Sequence, residues 1–142
     1  MDILFMKWKV TDHSKYTEWF ESRGEDLQDK ILEMVELLQQ EGPMLGRPHA
    51  DTLEGSTYPN MKELRVQHRG NPWRIIFAFD PERRGILLLG GNKAGNSNWY
   101  DKNIPIADKR YAEHLEQTKR VNQNDNSRRT NGKVTKGQKR KD

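Results

Sequence analysis

Three stretches in the middle of the chain decide the fold: KELRVQ (62–67), WRIIFAFD (73–80) and ILLLGGNK (86–93). The first alternates apolar and polar residues, the two-residue period of a strand, and the second places Ile75, Phe77 and Phe79 on one side. The third is a nearly continuous apolar run, typical of a strand that is covered on both sides. Short turns at 70–72 and 81–85 separate the stretches, so the sequence predicts an antiparallel meander of three strands.

The segments before the meander predict one strand and two helices. Residues 3–10 favour a first strand. Ser14 suits the N-cap of a short helix that Gly24 would end. Residues 25–41 place apolar side chains at helical spacing, with acidic residues in the first turn and a Gly-Pro stop behind them. Repeated Gly and Pro predict an irregular connection from residue 42 to residue 60.

A last helix is expected after Pro105, because proline suits the first turn of a helix. Its inner face would consist of Ile106, Ala107, Arg110, Tyr111, His114 and Leu115. The predicted order is therefore β-α-α-β-β-β-α. It corresponds to an α+β fold in which two N-terminal helices pack on one face of a small, mainly antiparallel sheet.

The charge of the chain is concentrated at its end. From Lys119 to Asp142 there are nine basic and two acidic residues, a net charge of +7, and the only apolar residues are two valines. Such a segment buries too little surface to offset the entropy of ordering it. We therefore expect one domain at 1–118 and a disordered basic tail at 119–142. Because the remaining domain has a net charge of −3, an RNA site there would have to be a local patch.

Several classes of protein are not favoured by the sequence. Cysteine is absent, which excludes disulfides, thiolate metal sites and a cysteine nucleophile. No histidine pair or acidic cluster has metal-ligand spacing, and Gly90-Gly91 does not begin a phosphate-binding loop. No apolar run approaches the length of a membrane span, and the start lacks the layout of a signal peptide. We expect a cytoplasmic protein with no metal, no other cofactor and no membrane partner.

One face of the meander carries the residues that could perform chemistry. Alternation places Glu63, Arg65 and Arg74 opposite the apolar face. Cleaving RNA without a metal requires a base for the 2′-OH, cations for the phosphate charge and an acid for the leaving oxygen. The cations would be Arg65, Arg74 and Lys93. The candidates for the two proton transfers are Glu63, Lys62, Lys93, Tyr100, Tyr111 and His114.

A structural interpretation of the same residues stays open. The charges could simply be solvated on an uncovered sheet face, and His114 could be a packing residue. Trp99 and Tyr100 could stack on bases or could close an edge of the core.

The residues expected to bind RNA are Lys62, Arg69, Trp73 and Trp99.

Five motifs resemble a known family when taken in order. They are GPMLGRP (42–48), KELR (62–65), WRIIFAFD (73–80), GGNK (90–93) and IPIAD (104–108). Over residues 8–115 the chain resembles the phage-related, HigB-like branch of the RelE/ParE toxins. The resemblance implies a RelE-like fold and a toxin of a toxin–antitoxin system, a metal-independent endoribonuclease that cuts mRNA on the ribosome and so inhibits translation.

The resemblance also implies partners and roles. The partners are a cognate antitoxin protein, the ribosome and mRNA. By motif position, Arg65 and Arg74 carry over as phosphate-binding and transition-state residues, and Lys93 carries over as a third cation. Two other functions stay open: a ParE-like toxin that acts on a topoisomerase without nuclease activity, and an inactive phage or mobile-element module that binds RNA.

Overall fold

The computed structural model describes the backbone of residues 7–137 and the side chains of residues 7–125. The chain forms two compact units, Met1–Tyr111 and Ala112–Asp142. The elements are β1 (Val10–Asp12), α1 (Ser14–Glu21), α2 (Glu25–Glu41), a short 3₁₀ helix (Gly42–Met44), β2 (Ala50–Thr52), β3 (Met61–His68), β4 (Asn71–Phe79), β5 (Gly85–Asn92) and α3 (Trp99–Gly137).

One five-stranded sheet, in the order β1-β5-β4-β3-β2, forms the centre of the first unit. The β1 strand runs parallel to β5, and the other neighbours are antiparallel. The predicted α+β class and the predicted meander are therefore confirmed. The β2 strand was not predicted, because three residues within a segment rich in Gly and Pro carry no periodic signal.

The register of β3 and β4 separates the two faces of the sheet. Leu64 pairs with Ile75, and Arg65 pairs with Arg74, so apolar and charged pairs alternate. We call the two sides the helix face and the α3 face. On the helix face, α1 and α2 contribute Tyr16, Leu27, Ile31, Met34 and Leu38 to a core that contains Leu64, Val66, Ile75, Phe77 and Leu87.

The opposite face of the sheet is also covered, although helices had been expected on one face only. The beginning of α3 covers it and buries Trp99, Ile104, Ala107 and Tyr111. In this part of α3, the Tyr111 hydroxyl donates to the Phe79 carbonyl at 3.4 Å. The apolar side chains that β4 and β5 also present on this face need cover, which explains why a third helix packs there.

The ends of several elements differ from the predicted positions. The first strand is Val10–Asp12 rather than 3–10, of which residues 3–6 lie outside the described residues. The N-cap of α1 is His13, whose Nδ1 accepts from the Lys15 amide at 3.1 Å. The α3 helix begins at Trp99, so Pro105 lies inside the helix. Packing of Trp99 against the sheet offsets the one backbone hydrogen bond that this proline cannot donate.

The second unit consists of the continuation of α3. The helix continues to Gly137, and residues 138–142 lie outside the described residues. The predicted division into a domain at 1–118 and a disordered tail from Lys119 stays a prediction. The side chains of residues 119–125 are exposed. None of the helices among the described residues is both long and apolar enough to cross a bilayer.

Candidate active site

A buried carboxylate, Glu63, lies at the centre of the charged residues on the α3 face. Its Oε1 accepts a hydrogen bond from the Tyr100 hydroxyl at 2.6 Å, and its Oε2 accepts one from Nε of Arg65 at 3.3 Å. Nε of Arg74 lies 3.4 Å from Oε1. Strand periodicity and the Arg65–Arg74 pairing account for three members, and the first turn of α3 adds Tyr100. These four residues form the Glu63 cluster.

The burial of this cluster makes its charges interdependent. Glu63 is 3% exposed and Arg74 is 8% exposed, so each needs a partner of opposite charge. Two guanidiniums face one carboxylate, which leaves an excess of one positive charge. The Nε–H of Arg74 is buried and has no hydrogen-bond acceptor among the described residues, because its contact with Glu63 is not aligned as a hydrogen bond. The cluster is therefore suited to bind an additional anion.

The Tyr100 phenol keeps its proton at neutral pH. Burial, followed by the hydrogen bond to Glu63, raises the pKa of Tyr100 above its ordinary value. Lys93 follows the end of β5, and its Nζ lies 5.5 Å from the centroid of the Tyr100 ring. The structure thus brings the predicted third cation next to the cluster through a cation–π contact.

The two glycines of the GGNK motif allow helices to approach both faces of β5. A Cβ atom at Gly91 would lie 2.8 Å from Nε1 of Trp99, and a Cβ atom at Gly90 would overlap the ring of Trp19. Because Gly91 has no side chain, α3 can begin close to the sheet. The close approach places Tyr100 within hydrogen-bond distance of Glu63.

A cleft of about 410 Å³ opens beside the two arginines, at the edge of β3. The β2 strand pairs only with residues 62–64 of β3. After them, the Arg65 amide donates to the His49 carbonyl, and the edge of β3 that follows has no neighbouring strand. The described residues that line the cleft include three cations and no carboxylate: Lys30, Met34, Pro48, His49, Arg65, Gln67 and Arg74. This lining fits a phosphate group.

A second carboxylate, Asp51, holds Arg65 from the other side. Its Oδ2 accepts from Nε of Arg47 at 2.8 Å and from Nη2 of Arg65 at 3.4 Å. The hydrogen bond from Arg47 is the main cause that lowers the pKa of Asp51, which is therefore ionised at neutral pH. This pair was not predicted, although Arg47 belongs to the GPMLGRP motif and lies four residues before Asp51. Its position depends on the β2 strand, which was not predicted and which places Asp51 opposite Glu63.

Other predicted site residues lie away from the Glu63 cluster. Lys62 is on the helix side of β3, and its Nζ donates to the Pro43 carbonyl at 3.0 Å. Arg69, in the turn between β3 and β4, forms an ion pair with Asp26 of α2. Trp73 packs against the core of the helix face, where its ring centroid lies 6.1 Å from that of Trp19.

Two further candidates have different surroundings. Trp99 is 4% exposed and contacts Tyr100 edge to face, so its ring closes an edge of the core and is not free to stack on a base. His114 belongs to the second unit, where its Nε2 lies 3.5 Å from the Thr118 hydroxyl. Its catalytic role stays a prediction. Among the described residues, no three His, Asp or Glu side chains are grouped as metal ligands.

Solved structures with a similar arrangement include two RelE proteins. A mutant of Escherichia coli toxin RelE in the free state aligns with a TM-score of 0.48 and 10% identity, over 66% of this chain and 92% of that chain. The archaeal RelE–RelB complex from Pyrococcus horikoshii aligns with a TM-score of 0.47 and 18% identity, over 63% and 99% respectively.

Sequence comparisons identify the family. A Mycobacterium tuberculosis protein named "Putative toxin HigB3" is 54% identical over 93 residues, which cover 65% of this chain and 80% of that protein. A second one, "Putative toxin HigB2", is 43% identical over 110 residues, which cover 76% and 55%. The chain thus spans about half the length of the second relative. The model of the family described as phage derived protein Gp49-like matches residues 18–112. The resemblance to the phage-related HigB-like branch is confirmed, and the chain belongs to the phage-derived Gp49-like family.

Proposed function

We propose that this chain is the toxin of a toxin–antitoxin pair and inhibits translation by cleaving mRNA on the ribosome. Its 54% identity with the protein named "Putative toxin HigB3" supports the role as a toxin. The observation that carries the cleavage of mRNA is the Glu63 cluster, in which one buried carboxylate holds two guanidiniums beside a cationic cleft.

The cleft would bind the phosphate that is cleaved. Arg65 and Arg74 would donate to its oxygens, and Lys30 would add charge from α2. Because Glu63 fixes both arginines before the substrate arrives, little reorganisation is needed when negative charge builds up on the phosphate. Glu63 itself is a positioning residue in this proposal, since its carboxylate is almost fully buried and already contacts three side chains.

Proton transfer would require groups next to this phosphate. Tyr100 carries a proton at neutral pH, and it would have to turn its hydroxyl from Glu63 to the phosphate to donate this proton to the leaving 5′-oxygen. His49 lines the cleft, and imidazole is the side chain that most often moves protons at neutral pH. We therefore propose His49, which was not predicted as a site residue, as the base for the 2′-OH.

The proposed partners follow from the activity. They are the ribosome with its mRNA and a cognate antitoxin protein, and the toxin would act in the cytoplasm, where translation takes place. The antitoxin is supported by the relative that is named as a HigB toxin, because a cell that produces such a toxin must also neutralise it.

Mapping of mRNA 5′ ends in a translating extract tests this proposal. We expect the protein to produce new 5′ ends within the translated frame and to leave the same mRNA intact without ribosomes. Arg65→Ala would abolish these ends. Lys15→Ala is the matched control, because it removes one cation from an exposed position on α1. Growth inhibition without new 5′ ends would contradict the nuclease, and inhibition of a purified topoisomerase would then favour the ParE-like function.

A further inference from the structure

Asp51 is shared between two arginines that differ in their surroundings. The side chain of Arg47 is 74% exposed and that of Arg65 is 29% exposed. Both contact the same atom, Oδ2 of Asp51, while Oδ1 accepts a hydrogen bond from the Thr52 amide at 3.0 Å. One carboxylate oxygen therefore connects the loop before β2 to a cation of the cleft.

The two contacts differ in strength. The Arg47 contact, at 2.8 Å, has the length of a good charge-assisted hydrogen bond, whereas the Arg65 contact, at 3.4 Å, is long for a hydrogen bond. Arg65 is also held by Glu63, which is buried and fixed by its other partners. The two carboxylates lie at nearly equal distances from Arg65, but Asp51 is the more exposed, so it is the one from which the guanidinium separates more easily.

An RNA phosphate in the cleft would compete with Asp51. It would approach the guanidinium of Arg65, whose Nη2 atom contacts Oδ2 of Asp51, and the two anions would repel each other. Arg47 would keep its own contact with Asp51 and so partly neutralise that repulsion. The free energy of binding phosphate would thus include the cost of separating Arg65 from Asp51.

We propose that Asp51 is a competing counter-ion that weakens the binding of RNA phosphate at Arg65, and that Arg47 controls the strength of this competition by sharing Asp51. The inference rests on the proposed function for the identity of the substrate. Asp51 keeps the affinity for free RNA low, so that cleavage depends on a strand that the ribosome presents in a fixed position. This competition contributes to the dependence on the ribosome of a nuclease whose cleft is cationic.

The first test measures the affinity of the full chain for RNA that cannot be cleaved. The probe is a fluorescent 2′-O-methyl RNA of twelve nucleotides, which lacks the attacking hydroxyl, and the measurement is fluorescence anisotropy. Asp51→Asn keeps the Oδ1 acceptor for the Thr52 amide but removes the charge. We expect it to bind the probe about fivefold more tightly, the effect of one unit charge at about 4 Å in water. Asp51→Glu, which keeps the charge, should bind more weakly than Asp51→Asn.

A double-mutant cycle separates the competition from direct binding by Arg47. If Arg47 acts through Asp51, Arg47→Ala weakens binding in the wild-type background and has no effect in the Asp51→Asn background. If Arg47 itself contacts phosphate, the loss is equal in both backgrounds, and its part in the proposal is wrong. Equal or weaker binding by Asp51→Asn, with an unchanged melting temperature, overturns the role of Asp51. Arg47→Lys, which keeps the charge, checks the cycle if Arg47→Ala unfolds.

The outcome can be separated from that of the proposed function. The binding assay contains no ribosome and requires no cleavage. Tighter binding by Asp51→Asn without any cutting in a translating extract would support the counter-ion and contradict the nuclease. Cutting by the wild type, together with unchanged affinity in Asp51→Asn, would support the nuclease and contradict the counter-ion.

Discussion

Glu63 and Leu64 are neighbours in β3, yet they belong to opposite faces of the sheet and have opposite chemistry. Both are buried, Leu64 among apolar side chains of α1 and α2, and Glu63 between two guanidiniums and a phenol. Apolar burial stabilises the fold without any specific partner. A buried charge has a desolvation cost that only matched partners offset, so a cluster of such charges on one face indicates a function.

The largest expected effect is the loss of activity in Arg65→Ala. Removing one preorganised cation from the reacting phosphate should lower the rate of mRNA cleavage about 10²- to 10³-fold. The fold should survive, because the side chain is partly exposed at the edge of the cleft. Growth inhibition after induction and the melting temperature of the purified variant measure the two properties. Full toxicity would remove Arg65 from the site.

The matching change on the helix face is Leu64→Ala, and it should affect stability instead. Leu64 is fully buried in the core, so the cavity should lower the free energy of unfolding by about 2–5 kcal/mol. Urea denaturation measures this change. The control is Gln67→Ala, at an exposed position of the same strand. A small loss of stability in Leu64→Ala would show that the two faces differ less than their burial indicates.

Arg74→Ala should combine the two effects. Strand alternation alone predicts an intact fold for this variant, because Arg74 points away from the apolar face, but Arg74 is 8% exposed and pairs with buried Glu63. Its removal should abolish activity and lower the free energy of unfolding by about 1–3 kcal/mol, the cost of an unsatisfied buried group. Adding Glu63→Gln should recover part of that stability. No recovery in the double variant would indicate that the pair contributes little to the fold.

The period of two in β3 and β4 was enough to place Glu63, Arg65 and Arg74 together, and the structure confirms this arrangement. It could not show that α3 crosses this face, because helix packing depends on contacts between distant parts of the chain. The near-complete burial of Arg74 therefore could not be predicted, and the choice between the two interpretations of Trp99 had to come from the structure. Asp51 was missed for the same reason, since its position depends on the pairing of a three-residue strand.

A smaller effect is expected from the second unit. Deleting residues 119–142 removes a net charge of +7 but only two valines, so the first unit should keep its melting temperature. If this segment binds ribosomal RNA, affinity for ribosomes should fall, and the slope of log K against log salt should decrease by about 0.7–0.9 for each lost phosphate contact. Sedimentation binding across a salt series measures both. Equal slopes would restrict RNA binding to the first unit.

No effect is expected from chelators if the cations of the α3 face act on the phosphate without a metal. Incubation with EDTA, followed by removal of the chelator before ribosomes are added, should leave the cleavage rate unchanged. Inactivation that one specific divalent ion reverses would show that the charged face needs a metal.

In the proposed function, mRNA is cleaved on the charged face of the sheet, at the Glu63 cluster. The most direct test is the single-turnover rate of cleavage on ribosomes that carry a defined mRNA, at saturating concentrations of wild type, Arg65→Ala and Lys15→Ala. Saturation separates the chemical step from binding. We predict a rate about 10²- to 10³-fold lower for Arg65→Ala and an unchanged rate for Lys15→Ala. Equal rates for all three proteins would contradict the assignment of the active site to this face.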